Sequence, residues 1–165
     1  MVLPEDPLTA ITLEQANRII AAILQRAQEI NCRPLSVLVV EPGCKVKAFQ
    51  KEDGSSMIRF EMAYGKAYAA LAMGRSSKLV KVRAEEKPIF MRYLSAATGD
   101  QIFPEGGGLQ IRDQNGEVIG AVGVTGDTED RDEELAAHGI RAVGLKTDED
   151  CKALGRNAAV RLTNK

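Results

Sequence analysis

A glycine-rich segment in the second half of the chain constrains the fold more than any other part of the sequence. Three consecutive glycines at 106–108 lead into a short apolar run, Asn115-Gly116 follows, and a second apolar run carries three more glycines. An Asn-Gly pair between two apolar runs predicts a β-hairpin, because both central residues of the tight turn need a positive φ. Glycine weakens a strand interior, so its repetition indicates that backbone or ligand comes close to this hairpin.

The rest of the chain is predicted to form helices and strands without alternating βα units. Periodic apolar positions and cap residues predict helices over residues 12–30, 57–73, 77–86, 88–98 and 129–143. Apolar runs bounded by turns predict strands over residues 35–40, 44–50, 108–112 and 117–125. Thr12 with Gln15, the Ser55-Ser56 pair and Thr128 supply cap chemistry. Hairpin-joined strands covered by helices predict an α+β domain with an antiparallel sheet.

Length and charge limit the class of protein. A chain of 165 residues predicts one domain, and its 22 basic and 23 acidic side chains create no field that attracts nucleic acid or a membrane surface. Its apolar runs are far shorter than the roughly 20 residues of a membrane-spanning helix. The acidic, proline-containing N-terminus is unlike a signal peptide. A cytoplasmic protein is therefore expected, with its 3 scattered cysteines as reduced structural thiols.

The helix predicted over residues 57–73 carries candidate ligand-binding side chains. Arg59 and Lys66 are seven residues apart and therefore share one helical face, where two cations could hold a carboxylate or a haem propionate. A solvated basic edge is the simpler interpretation. Glu61 lies elsewhere on this helix and could move a substrate proton. Tyr64 could approach a haem iron, although its helical spacing also fits packing.

Two further regions carry candidate chemistry. His138 is the only histidine, and it could be a metal or haem ligand or a general base. A structural histidine near a helix end is the alternative. The amides of Gly106, Gly107 and Gly108 could cradle an anion, but phosphate-binding loops lead into a helix and this one leads into a strand. A loop that lines a pocket or touches a neighbouring subunit is the alternative.

The segment from Glu105 to Asp127 resembles the signature of the GlcG/HbpS-like family, to which the C-terminal domain of PduO corrinoid adenosyltransferases is related. Its members combine a glycine-rich loop and a short strand with the motif IGAxGVSG, and here Thr125 occupies the serine position. Lys66-Ala67 with Ala69-Ala70 matches the family's KAxxA helix. The resemblance covers residues 12–145, which leaves an N-terminal arm at 1–11 and a C-terminal tail at 146–165.

The resemblance implies a five-stranded antiparallel sheet of profilin-like shape flanked by helices, in homo-oligomers from dimer to octamer. It also implies a small-molecule-binding protein, since some relatives bind or degrade haem or sense redox state. In this hypothesis haem is the cofactor, Arg59 and Lys66 meet its propionates, and His138 or Tyr64 binds the iron. The family's first helix carries an axial histidine in one branch, whereas this chain has none there.

Two other functions are also consistent with these residues. The chain could be a cofactor-independent isomerase, lyase or hydrolase that acts on a small carboxylate-bearing intermediate. Glu61, Asp132 or His138 would then move protons, and the amides of Gly106–Gly108 would stabilise an oxyanion. Alternatively, the small-residue helix and the glycine-rich strands would serve subunit packing in a non-catalytic accessory protein.

Overall fold

A computed structural model describes residues 9–152 of the chain. Helices and strands follow one another in nearly the predicted order and positions. They are α1 (Leu13–Glu29), β1 (Ser36–Val40), β2 (Val46–Lys51), α2 (Arg59–Met73), α3 (Ser77–Glu86), α4 (Pro88–Ala97), β3 (Gly108–Arg112), β4 (Val118–Thr125) and α5 (Glu129–Ala142), followed by a 3-10 turn at Glu149–Cys151.

The strands form one antiparallel sheet in the order β2-β1-β4-β3. β1 and β4 are central, and all five residues of β1 are buried, as its continuous apolar sequence predicted. The α+β class is confirmed, but the five strands implied by the family resemblance are wrong for the described residues, which contain four. At the outer edge of β3, Lys146 makes only a single antiparallel bridge to Arg112, which is too short to count as a fifth strand.

Helices cover both faces of the sheet. One core lies between the sheet and the α1–α5 pair, which pack closely because Gly139 faces Ile23 and has no Cβ to separate the helices. A second core lies between the other face and α2, and it contains Leu38, Val40, Ala63, Ala67 and Ala121. α3 and α4 extend this second layer, with Val80 and Met91 packed near Ala69 and Ile102. Residues on α2 and α5 therefore lie on opposite sides of the sheet.

Most predicted helix ends are confirmed. Thr12 and Gln15 form the predicted capping box, and Thr128 accepts a hydrogen bond from the Arg131 amide. The prediction that the Ser55-Ser56 pair caps α2 is wrong. α2 begins after Ile58 without a side-chain cap, because Ser55 Oγ instead bonds Ser36 Oγ at 2.7 Å in the interior.

The packed structure extends slightly beyond residues 12–145 at both ends. Ile11 is buried, and its amide donates to the Ile119 carbonyl at 2.8 Å. After α5, ion pairs from Arg112 and Arg141 hold the segment 146–152, and Cys151 is buried. The rest of the predicted arm and tail, residues 1–8 and 153–165, lies outside the described residues. Between residues 9 and 152, every helix is too short or too polar to cross a membrane.

Candidate functional site

The inward face of α2 explains the glycines of the hairpin. Its buried side chains are small, so the helix backbone lies directly on the sheet. A Cβ at Gly123 would overlap the Ala63 carbonyl, and a Cβ at Gly108 would overlap the Lys66 carbonyl. The close approach indicated by the sequence is therefore that of the α2 backbone.

Lys66 is the exception among these small residues, and its ammonium group lies in the interior. Lys66 Nζ donates to the Val124 carbonyl at 3.0 Å and to Asp132 Oδ2 at 3.1 Å. Both charged side chains are only 1% exposed. The other carboxylate oxygen, Asp132 Oδ1, accepts a hydrogen bond from the Asp127 amide at 3.1 Å. This ion pair joins α2 to α5 past the end of β4.

The glycine triplet makes room for the ion pair. Gly107 has a φ of 124°, and a Cβ there would overlap the Val124 carbonyl and stand 3.1 Å from Asp132 Cβ and 3.2 Å from Lys66 Cδ. The Gly108 amide donates to Ser77 Oγ at 2.7 Å. Gly106, Gly107 and Gly108 are all buried, and the loop encloses the Lys66–Asp132 pair.

Charge and hydrogen bonding are balanced within this interior network. Burial raises the pKa of Asp132, and the ammonium group of Lys66 opposes that rise. Across residues 9–152, every buried side-chain nitrogen and oxygen has a hydrogen-bond partner. Lys66 and Arg59 do share a helical face, as predicted, but the Lys66 ammonium is already bonded in the interior rather than presented to a carboxylate ligand. Asp132, a predicted proton-transfer residue, is enclosed with it.

One flank of α2 carries a row of aromatic rings, of which Tyr64 and Tyr68 pack against the second core and only Tyr64 was a predicted ligand candidate. Phe60, Tyr64 and Tyr68 are four residues apart, which is the spacing of neighbours on one helical face and could have revealed the row. The ring centroids of Phe60 and Tyr64 are 6.4 Å apart at an interplanar angle of 20°. Phe49 of β2 meets Phe60 edge-on at 4.9 Å.

Exposed apolar residues extend this row at the start of α2. Met57 is 92% exposed, Ile58 is 58% exposed and Phe60 is 36% exposed. We call the surface formed by Phe49, Met57, Ile58, Phe60 and Tyr64 the α2 patch. Contiguous exposed apolar side chains of this kind mark binding surfaces more often than single exposed residues do.

Arg59 and Tyr64 supply the polar groups at the α2 patch. Arg59 Nη1 donates to Thr125 Oγ1 at 2.8 Å, which is the one side-chain hydrogen bond of this half-buried arginine within residues 9–152. The Tyr64 hydroxyl donates to Gln101 Oε1 at 3.2 Å and also contacts the Cys44 thiol. Burial, the contact with Cys44 and the nearby Tyr68 raise the pKa of Tyr64 to about 12.

The remaining predicted site residues do not come together. Glu61 is exposed on α2, whereas His138 is exposed on α5, which covers the other face of the sheet. Asp132 lies in the interior between them. Within the described part of the chain, no three His, Cys, Asp or Glu side chains are grouped to hold a metal ion, so His138 has no such partners there. The structure therefore brings Lys66, Asp132 and the glycine triplet together, whereas Arg59 bonds Thr125 and Tyr64 bonds Gln101.

Comparison with known proteins identifies relatives over most of the chain. The sequence model of the family described as haem degrading protein HbpS-like matches residues 11–141. A protein of Citrobacter freundii, described as an uncharacterized 15.0 kDa protein in the dhaT-dhaS intergenic region, is 31% identical over 129 residues. That alignment covers 78% of this chain and 89% of the relative.

Solved structures share the fold. Klebsiella pneumoniae protein ORFY superposes with a TM-score of 0.74 at 25% identity, over 87% of this chain and 97% of that one. A PduOC:heme complex gives a TM-score of 0.70 at 21% identity, over 84% of this chain and 99% of that one. HbpS also gives 0.70, at 24% identity, over 84% of this chain and 92% of that one. At these identities the last two similarities concern the fold alone.

Proposed function

This chain belongs to the family of haem-degrading HbpS-like proteins, and from that premise we propose that it binds haem or a related tetrapyrrole on the α2 patch. The observation that carries the proposal is the exposed side chains of Met57, Ile58 and Phe60, with the half-buried Tyr64 beside Phe60 and an arginine between them in the chain that Thr125 holds in place. A tetrapyrrole is a flat apolar ring with carboxylate substituents, and it needs both features. The PduOC:heme complex is a structural neighbour that was solved with haem, which makes haem the first ligand to test.

The residues of the patch fit each part of such a ligand. Phe60 and Tyr64 lie nearly parallel and offer ring faces and edges for stacking, and Met57 and Ile58 enlarge the apolar surface. The guanidinium of Arg59 would hold a propionate through charge-assisted hydrogen bonds. Lys66 would not take part, because Asp132 and the Val124 carbonyl already occupy its ammonium group.

Tyr64 is our candidate for the group that holds the iron. Tyrosine is an established axial ligand of haem iron, whose bound form would supply redox and oxygen chemistry. Tyr64 is a neutral phenol at physiological pH, and the rise of its pKa to about 12 favours that neutral form further. Iron binding would release its proton, so haem affinity should increase with pH through this residue. His138, on the other face of the sheet, would not contribute to this site.

A haemin titration followed by Soret absorbance tests the proposal. We expect saturable binding at one haemin per chain, which Arg59→Ala weakens about ten- to hundredfold because a hydrogen bond to a charged group is lost. His138→Ala is the matched control on the opposite face and should leave the titration unchanged. Loss of binding in His138→Ala, with full retention in Arg59→Ala, would move the site away from the α2 patch.

Tyr64→Phe tests the iron ligand separately from the surface. The phenylalanine keeps the ring of the patch but removes the phenol, so we expect haemin to bind with an altered Soret position and without the increase in affinity at high pH. An unchanged spectrum and an unchanged pH profile would show that Tyr64 contributes its ring alone. Non-saturating binding by the unaltered protein would contradict the haem proposal as a whole.

A further inference from the structure

A separate cavity of about 370 Å³ lies away from the α2 patch, between α3, α5 and the segment 146–152. Leu79, Leu109 and Ala137 provide its apolar surface. Charged side chains from all three elements surround that surface. A cavity of this size with apolar walls and a few polar groups has the features of a small-molecule site.

The wall formed by residues 146–152 is firmly attached. Arg112 Nε donates to Asp148 Oδ1 at 2.6 Å, and Arg141 Nη2 donates to Asp150 Oδ1 at 3.0 Å. The Lys146 amide also donates to the Arg112 carbonyl at 2.9 Å. These bonds connect the segment to both β3 and α5. One wall of the cavity is therefore held in place by β3 and α5.

Most charges at the cavity are neutralised by specific partners. Arg141 pairs with Asp150, and Asp148 pairs with Arg112, so each of these charges is balanced. Lys152 Nζ pairs with Glu149 Oε2 at 2.8 Å.

Glu133 differs from these groups. Its closest cation, Lys78 Nζ, lies 3.6 Å away and is already bonded to Asp130 at 2.8 Å. The Glu133 side chain is only 21% exposed. Burial raises the pKa of this carboxyl, and the opposing effects of the Ser76 hydroxyl and of Lys78 compensate its charge only in part. The cavity therefore presents an apolar surface beside one incompletely compensated carboxylate.

We propose that this cavity is a second ligand site, which binds small primary amines with an apolar body and pairs their ammonium group with Glu133. The apolar body rests on Leu79, Leu109 and Ala137. A cation at this position completes the neutralisation of Glu133, whereas an anion of the same shape meets its charge directly. The site is independent of haem, because it lies on other elements than the α2 patch.

Benzylamine, benzyl alcohol and benzoate test this proposal, because they share one ring and differ in the charge of the head group. Each is titrated into the ¹⁵N-labelled full chain and followed by backbone amide NMR shifts. We expect saturable shifts from benzylamine at residues around the cavity, with about tenfold weaker binding of benzyl alcohol and weaker binding still of benzoate. Equal affinity for the amine and the benzoate would overturn the proposal.

Two variants separate the charge from the cavity. Glu133→Gln should weaken benzylamine binding about tenfold and leave benzyl alcohol unaffected, because only the charged partner is lost. Ala137→Leu fills the cavity and should abolish binding of all three compounds. Glu14→Gln on the remote α1 surface is the charge-matched control and should change nothing. Undiminished benzylamine binding in both Glu133→Gln and Ala137→Leu, or non-saturating shifts in the unaltered chain, would refute the site.

Discussion

Two cations on the same face of α2, Lys66 and Arg59, lie in different environments. Lys66 is enclosed and bonded to Asp132 on this inward face, and the surrounding glycines and alanines leave no space for a ligand. Arg59 is half-buried, bonds Thr125 and precedes the exposed Phe60. The two cations differ because Lys66 lies in the middle of the packed helix, whereas Arg59 is its first residue. A charged residue on a predicted helix face is a site only if its partners leave it accessible.

The sharpest way to break this comparison is to remove one partner of the inward pair. Lys66→Met leaves the Asp132 carboxylate buried without a cation, and we expect a loss of about 3–5 kcal/mol in the free energy of unfolding. Asp132→Leu should cause a similar loss, because the Lys66 ammonium group is then buried without an anion. Urea unfolding followed by circular dichroism measures both. Losses below about 1 kcal/mol would show that water reaches the pair and that the inward face is open.

The double variant Lys66→Met/Asp132→Leu distinguishes a role in stability from a role in the site. Buried ion pairs are often replaceable by apolar side chains of similar volume, since the desolvation of both charges is then avoided. We therefore expect the double variant to recover most of the stability that either single variant loses. It should also bind haemin as the unaltered chain does. Restored stability with lost haemin binding would return Lys66 to the ligand site.

A second test concerns the glycines that let α2 lie on the sheet. Gly108→Ala should destabilise the protein by about 2–3 kcal/mol, because its Cβ would overlap the backbone carbonyl of Lys66 and neither backbone can yield easily. Gly43→Ala is the matched control, since no atom lies within 4 Å of its Cβ position. Thermal unfolding of the two variants gives the contrast. Equal melting temperatures would mean that α2 can move away from β3.

A third and smaller effect on stability is expected at the α2 patch. Phe60→Ala removes a partly exposed ring, so its loss of stability should be about 1 kcal/mol, well below that of the inward variants. Haemin affinity should decrease about three- to tenfold, because half of the stacking surface is lost. Chemical unfolding and haemin titration on the same preparation compare the two quantities. A large loss of stability with unchanged affinity would assign Phe60 to the core.

The sequence predicted the fold more completely than the site because the two depend on different information. The Asn115-Gly116 hairpin, the Thr12 cap and the apolar run of β1 are local signals, and each is confirmed. The predicted tight turn is not, because only Gly116 has a positive φ and residues 113–117 form a longer loop. The enclosure of Lys66 is not local. It arises because Gly107 and Asp132, which are far from Lys66 in the chain, lie beside it at the end of β4. The periodicity of α2 does not predict these contacts.

The α2 patch teaches the converse. The spacing of Phe60, Tyr64 and Tyr68 was visible in the sequence, but spacing alone does not show that Phe60 is exposed while Tyr64 and Tyr68 pack against the second core. Ser55 illustrates the same limit at a helix end. Its hydroxyl is a good cap by type, yet its partner is Ser36 on a distant strand. Residue type and spacing therefore predict which elements form, whereas the environment of each charged or polar group requires the packed chain.

The smallest predicted effect concerns the exposed ion pair between Arg141 and Asp150, which contrasts with the buried Lys66–Asp132 pair. The Arg141 guanidinium holds the pKa of Asp150 at about 2, below its ordinary value of 3.8. A carboxyl with a lowered folded-state pKa stabilises the protein above the unfolded pKa and loses that contribution as the pH falls. Between about pH 4 and pH 2, the unaltered chain should therefore lose about 0.5–1 kcal/mol through this group, a value limited by the exposure of Arg141.

Asp150→Asn should abolish that part of the pH dependence while leaving stability near neutral pH lower by the same small amount. Urea unfolding at pH 7, 4 and 2.5 measures the difference between the two proteins. The pKa of the buried Asp132 shifts in the opposite direction, because burial raises it and the Lys66 ammonium group opposes that rise. If the Asp150 variant kept the full acid sensitivity of the unaltered chain, the exposed pair would contribute nothing, and the contrast would rest on the inward pair alone.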